Sequence, residues 1–327
     1  MEGCTLRRYK IEIEGGDTYD SAPNGQSDPG ALLVEMDMTV GDYSVPLGSA
    51  FVRIWGVGVQ ALSQARDLYN KKIKVWGGMA KGLPLAKPEQ YGLLVQGKIF
   101  KAFGNWEDVN QSLDLFISAD ADAPKPDGGP NPKPAFKNLV FNAPKGTNLI
   151  DALKKTLQTA YPDYKIDDKV KKQIIVPQDQ IHYSPTLPQL AYYIRRISQD
   201  IIGGNYEGVS IFNPDGVMHL ADSADTSGQG EIGFEDLIGQ PTWIDTGVIQ
   251  FKTTMRSDIK LMQQVTLPKT WINSSEAAND ITPNSQQQLA FQGKFKIQKI
   301  RHVGNSRSPV GSAWVTVFDA NFLGGGS

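Results

Sequence analysis

Two strings far apart in the chain share four residues in register. Leu93-Leu-Val-Gln96-Gly97-Lys98-Ile99 and Leu289-Ala-Phe-Gln292-Gly293-Lys294-Phe295 carry Leu, Gln, Gly and Lys at the same places. The matches around them keep their order. Ile73-Lys74-Val75 answers Ile259-Lys260-Leu261, Leu83-Pro84 answers Leu267-Pro268, and Gly104-Asn105 answers Gly304-Asn305. Each series then closes on an apolar run, at 113–117 and at 314–318. Ordered self-similarity of this kind predicts one supersecondary unit built twice in a single chain. That limits the fold more than composition does.

The unit reads as β. Tyr9, Ile11 and Ile13 alternate with Lys10, Glu12 and Glu14, and Leu32, Val34, Met36, Met38 and Val40 alternate with Glu35, Asp37 and Thr39. Period-two alternation marks half-buried antiparallel strands. Further short strands are expected at 51–55, 73–76, 93–100 and 113–118, with helical spacing only over 60–69. The β pattern returns after Trp243, at 248–251, 259–262, 291–300 and 314–318. A chain with 33 Gly and 20 Pro has the turns that such short strands need.

Between the β regions the character changes. The stretch 123–136 holds five prolines and two glycines and predicts a linker or long loop. Asn148 with Asp151 predicts a capped helix over 149–161 that Pro162 ends. A second helix starts near Thr186 and Pro188 and carries Leu190, Tyr193, Ile194, Ile197 and Ile201 on one face, before Gly203-Gly204. Asn213-Pro-Asp-Gly216 then predicts a turn between two short strands.

The expected fold is mainly β with a smaller α+β part: two similar antiparallel β-barrel domains joined by a helix-plus-hairpin module. The expected division is 1–122 for the first barrel, 123–136 for the linker, 137–232 for the middle module and 233–323 for the second barrel, with a Gly-rich tail at 324–327. The polar stretch 273–288 reads as a long exposed loop.

Charge and chemistry narrow the function. With 33 Lys and Arg against 35 Asp and Glu, the net charge of −2 gives no field for gripping nucleic acid or an anionic membrane. No signal-peptide core and no apolar span of membrane length is present. The one cysteine, Cys4, forms no internal disulfide, and His182, His219 and His302 fall in different modules, so neither metal nor other cofactor is expected. Gly97-Lys98 and Gly293-Lys294 lack the upstream glycine of a phosphate loop, and no nucleophile elbow or zinc-protease helix occurs. Asp167/Asp168 and Glu235/Asp236 would suit a glycosidase's paired carboxyls, but they read as solvated charge. No catalytic residue is expected, and the chain reads as a non-enzyme.

The repeated string has a structural meaning instead. Glycine inside a strand marks a bulge or sharp bend, which small barrels use at corners. Gln96, Gly97, Lys98, Gln292, Gly293 and Lys294 are therefore candidate barrel-corner or subunit-interface positions. Trp55, Trp76 and Trp106 in one β region, and Trp243, Trp271 and Trp314 in the other, read as core or interface anchors.

The strings LPLAKPEQYGLLVQGKIFKAFGNW (83–106), SLDLFIS after it, and FQGKFKIQKIRHVGNSR (291–307), in this layout, resemble the baseplate hub or tail-tip hub proteins of tailed bacteriophages, relatives of the contractile-tail hub and the late-control D proteins. The resemblance implies a homotrimer, with six similar barrels in a pseudo-sixfold ring that adapts one symmetry to another. The partners it implies are the hexameric tail tube protein, a trimeric central spike or tip protein, the tape-measure protein and other baseplate proteins. DNA would pass only transiently during ejection, with no membrane insertion. The implied location is the virion tail, after assembly in the bacterial host cytoplasm. From the residues alone, a carbohydrate-binding tail-tip module with aromatic platforms stays open as the alternative.

Overall fold

The computed structural model describes residues 7–44, 50–79, 90–118, 137–222, 229–245, 247–268 and 293–324. Alternation sets the first strands as expected. β1 (Arg7–Ile13) buries Tyr9, Ile11 and Ile13, and β3 (Val34–Gly41) buries Val34, Met36, Met38 and Val40, with the intervening charged side chains half-exposed. Each such strand presents one apolar face to a core and one polar face outward.

From β3 the first β region runs through β4 (Ala50–Trp55), β7 (Asn110–Ser118), β6 (Gly92–Glu107), β5 (Lys72–Met79) and β1 to the short β2 (Thr18–Asp20), each pair antiparallel. Helix α1 (Val59–Ser63) lies between β4 and β5 in the chain. The second region runs through β14 (Thr242–Asp245), β15 (Val248–Thr254), β18 (Trp314–Gly324), β17 (Gly293–Asn305), β16 (Gln264–Leu267) and β13 (Gln229–Glu231). The order 3-4-7-6-5-1 is thus repeated as 14-15-18-17-16-13. The copies differ in the last pairing of the order: β1 pairs with β5 antiparallel, whereas β13 pairs with β16 parallel.

The pairing also corrects the register of the repeat. β6 bulges against β7 between Ile99 and Lys101, and β17 bulges against β18 between Ile297 and Lys299. Lys98 faces Lys72, the first residue of β5, and Lys296 faces Gln264, the first residue of β16. Both landmarks align Lys98 with Lys296, two residues beyond the Lys294 that the string match selects. A slip of two keeps every side chain on its own face of the sheet, so apolar patterning cannot tell the two alignments apart.

The two β regions are fused along one seam. Lys299–Asn305 of β17 pair antiparallel with Gly41–Glu35 of β3, so all these strands form a single 13-stranded sheet. They also share one hydrophobic core, in which Met38, Val52 and Leu115 join Phe251, Phe295 and Phe318. The fold is mainly β with a smaller α+β part, as expected. Among the described residues no pairing closes either region into a barrel: the sheet path ends at β14 and β2.

The middle module has a core of its own. Helix α2 (Leu149–Ala160) contributes Leu149, Leu153 and Leu157, and α3 (Leu187–Ile202) contributes Leu190, Ala191 and Ile194. Asn148 Oδ1 accepts the Ile150 N–H at 2.8 Å and caps α2, while Asp151 reaches Lys154 at 3.3 Å and so stabilises the first turn differently from the expected reciprocal box. Against the helices lie β8 (Leu139–Ala143) paired with β10 (Gln180–Ser184), and β9 (Lys165–Asp168) beside the hairpin of β11 (Ser210–Phe212) and β12 (Val217–Ala221). At the hairpin turn Asn213 Oδ1 accepts the Gly216 N–H at 2.7 Å, and Gly216 takes φ 84°.

Candidate functional site

The first predicted string lies at a junction inside the chain. Gln96, Gly97 and Lys98 line a cavity of about 380 Å³ between the first β region and the middle module, opposite Asp163, Asn213 and Gly216. The Gln96 N–H donates to the Pro214 carbonyl at 3.0 Å. A Cβ on Gly216 would meet only the flexible end of the Gln96 side chain, so it is the φ of 84° that calls for glycine at this turn. Gly97 is equally constrained: a Cβ there would meet the Ser118 carbonyl, at the point where β6 leaves β5 for β7.

The second string is placed differently. Gly293 faces Leu267 at the start of β17 with φ 144°, and Lys294 is exposed beside it. Gln292 lies outside the described residues, as do Trp271 and Cys4. The residue equivalent to Lys98 is Lys296, which the sequence did not single out. It is fully buried, and its Nζ donates to the Asp222 carbonyl at 2.6 Å, at the end of β12. Both equivalent lysines therefore meet the middle module. Asp222 is itself buried and accepts the Lys172 N–H at 3.0 Å and the Tyr206 hydroxyl at 3.2 Å. Burial, then the Asp222 charge, pushes that Tyr206 hydroxyl far above the ordinary range.

A second junction joins the β regions. Arg256 has no exposed surface; its Nε and Nη2 bind Asp258 as a fork at 2.7 and 2.6 Å, and Nη1 binds Asp236 at 2.7 Å. Gln90, from the first region, donates to the other Asp236 oxygen at 3.0 Å. Burial opposes the guanidinium charge, but Asp258 and Asp236 outweigh it and hold the Arg256 pKa above its usual value. Asp236 is thus an interior ion-pair partner, which corrects its sequence reading as solvated charge. Two more ties cross here: Trp314 Nε1 donates to the Gly78 carbonyl at 2.9 Å, and Arg7 Nη1 to the Asn305 carbonyl at 2.7 Å. Gly304 lets the Trp314 ring in, since a Cβ there would sit 2.7 Å from it.

The β3–β17 seam has its own contacts. Arg301 Nε and Nη2 bind Asp37 at 2.7 and 2.5 Å, and Asn305 donates to Glu35 at 2.9 Å. His302 faces inward, 3% exposed, with Nδ1 2.9 Å from Thr316 Oγ1. Burial pushes its pKa down to about 3, so it is neutral at ordinary pH.

The remaining chemistry-bearing residues are held in local contacts. His219 lies between Asp167 and Asp215, each at 3.0 Å, and Asp168 binds Lys154 at 2.9 Å. His182 stacks on Tyr193 with ring centroids 3.7 Å apart. These two line a cavity of about 1480 Å³ between β10 and α3, together with Tyr183, Tyr192, Gln180 and Arg196. Trp314 is a core anchor as expected, whereas Trp106 is 63% and Trp243 40% exposed.

No family model matches the sequence, and no curated protein matches it. Solved structures do. The tail protein from Neisseria meningitidis MC58 aligns over 98% of this chain and 97% of its own, at 11% identity and a TM-score of 0.53. The 43 kDa tail protein of prophage MuSo2 from Shewanella oneidensis aligns over 96% of this chain and 97% of its own, at 8% identity and a TM-score of 0.53. This chain shares the fold of these two tail proteins from end to end.

Proposed function

We propose that this chain is a structural protein of a phage-type tail: a hub at the distal end of the tail tube. Three copies form a ring that presents six similar β units with true threefold symmetry. Its sixfold-like face meets the hexameric tube protein, and its threefold face holds a trimeric central spike or tip. The tape-measure protein and then DNA pass through the bore, and other baseplate proteins surround it. The protein acts as a scaffold and not as an enzyme, in the virion tail, after assembly in the bacterial host cytoplasm. The division into 1–122, 137–232 and 233–323 belongs to the same proposal.

One observation carries this reading. A single chain contains the same strand order twice, fused edge to edge through β3 and β17. Such a chain supplies two equivalent positions of a ring, which is what a joint between a sixfold and a threefold object requires. The end-to-end likeness of fold to two tail proteins points the same way. Sedimentation at rising concentration tests it, alone and with the tube protein. A three-chain species supports the hub, and a monomer under both conditions contradicts it.

A carbohydrate-binding tail-tip role is the second reading, favoured by the tyrosine-lined cavity beside α3. It predicts that host-surface glycans bind with measurable affinity and that Tyr192→Ala abolishes the binding. Absence of glycan binding by the intact protein would end it.

A further inference from the structure

Among the described residues, the fused seam leaves both of its counterparts without a second partner strand. By strand order β14 is the equivalent of β3, and the distal half of β6 is the equivalent of Lys299–Asn305 in β17. β3 pairs on both edges, with β4 and β17, but among the described residues β14 pairs only with β15. β5 covers β6 only over Gly92–Lys98. Beyond that, from Lys101 to Glu107, β7 is the only strand that pairs with β6 among the described residues. Helix α1 packs on the face of β6 at Gly104, where a Cβ would meet the Leu62 backbone, and forms no backbone hydrogen bond with that edge.

Exposure marks the same two edges. Trp243 stands where β3 has Met38, since both precede the crossing to the fourth strand at equivalent pairings (Thr242 with Gln250, Asp37 with Phe51). Met38 has no exposed surface, whereas Trp243 is 40% exposed and Ile244 beside it 49%. Trp106 stands where β17 has the buried Gly304, and is 63% exposed. An unpaired edge strand that carries large apolar side chains on both faces is a template for pairing with another chain.

We infer that β14 of one copy pairs antiparallel with the distal half of β6 of the next, repeating between chains the seam that β3 and β17 make within one. The occupant of each edge is a second copy of this chain, because the internal seam already shows that this pair of edges fits. Carrying the register across sets Thr242 opposite Asn105, as Asp37 is opposite Val303, and Trp243 opposite Gly104, as Met38 is opposite His302. The contact is head-to-tail and joins two different edges, so it propagates around a ring. It is shorter than the internal seam, since β14 spans only Thr242–Asp245. This inference rests on the ring reading above and adds its subunit contact.

Cysteine cross-linking tests it in a Cys4→Ser background. Two variants, Thr242→Cys and Asn105→Cys, are oxidised separately and as a mixture with diamide. The inference expects a 105–242 disulfide dimer in the mixture and none in either variant alone. Same-residue dimers in a single variant would show a two-fold contact and overturn it. An assembled three-chain species without the 105–242 bond would overturn the seam but leave the ring standing; a monomer throughout would remove both. Trp243→Lys guards against misfolding artefacts. It should abolish assembly while the monomer keeps its wild-type circular dichroism and thermal unfolding, and assembly that persists at the wild-type level counts against the seam.

Discussion

At the residue scale, His302 links the seam to pH. The unfolded chain binds a proton near pH 6.5, whereas the buried ring resists it down to about pH 3. Its folded pKa is depressed, so the stability it contributes is present above pH 6.5 and is lost as pH falls below that value. Between pH 7 and pH 5 the loss is about 2 kcal/mol. Urea unfolding at both pH values checks this: wild type should lose that amount more than His302→Gln, and equal losses would contradict the assignment. Arg256 gives a second residue-scale test. Arg256→Ala leaves the buried Asp236 carboxylate without its partner and should cost about 3–5 kcal/mol, whereas removing both charges with apolar side chains should cost less. Chemical denaturation of the single and double variants separates the two cases. Sequence could not reveal either residue, because burial is decided by what packs against a side chain. Glu235-Asp236 looks in sequence like any exposed acidic pair, yet Asp236 lies in the interior through contacts with Arg256 and Gln90 from distant segments.

At the element scale, more was legible. The alternation of Tyr9, Ile11 and Ile13 and of Val34 to Val40 places β1 and β3, and Asn148, Pro162, Thr186 and Gly203 bracket α2 and α3 within a residue or two of their ends. Asn148→Ala removes the Ile150 cap and should lower stability by about 1 kcal/mol, read as a shift in the denaturation midpoint with an unchanged slope. The internal repeat was legible too, but not its register. A string of Gln-Gly-Lys records local chemistry, while strand pairing and bulges record which backbone atoms meet. The two differ by one pleat, and the error hid Lys296. Lys296→Ala should therefore destabilise the junction with β12 more than Lys294→Ala, whose side chain is exposed. Equal effects on thermal unfolding would restore the string alignment.

At the scale of the whole molecule, the polar contacts follow the duplication. The contacts of Gln90 with Asp236, Lys296 with Asp222, and Gln96 with the 213–216 turn each fix one module against another. They set the angle between the two β units, and that angle decides whether copies joined through β14 and β6 close into a ring or run on as a filament. The middle module, with its separate core, lies on the Lys98 and Lys296 side of both units. Image averaging of the assembled particle is the decisive measurement. Rings of three chains are expected, with six similar β densities around the bore and threefold symmetry once the middle modules are seen. A ring with any other number of chains, or a particle whose β units do not alternate around it, would overturn the hub reading.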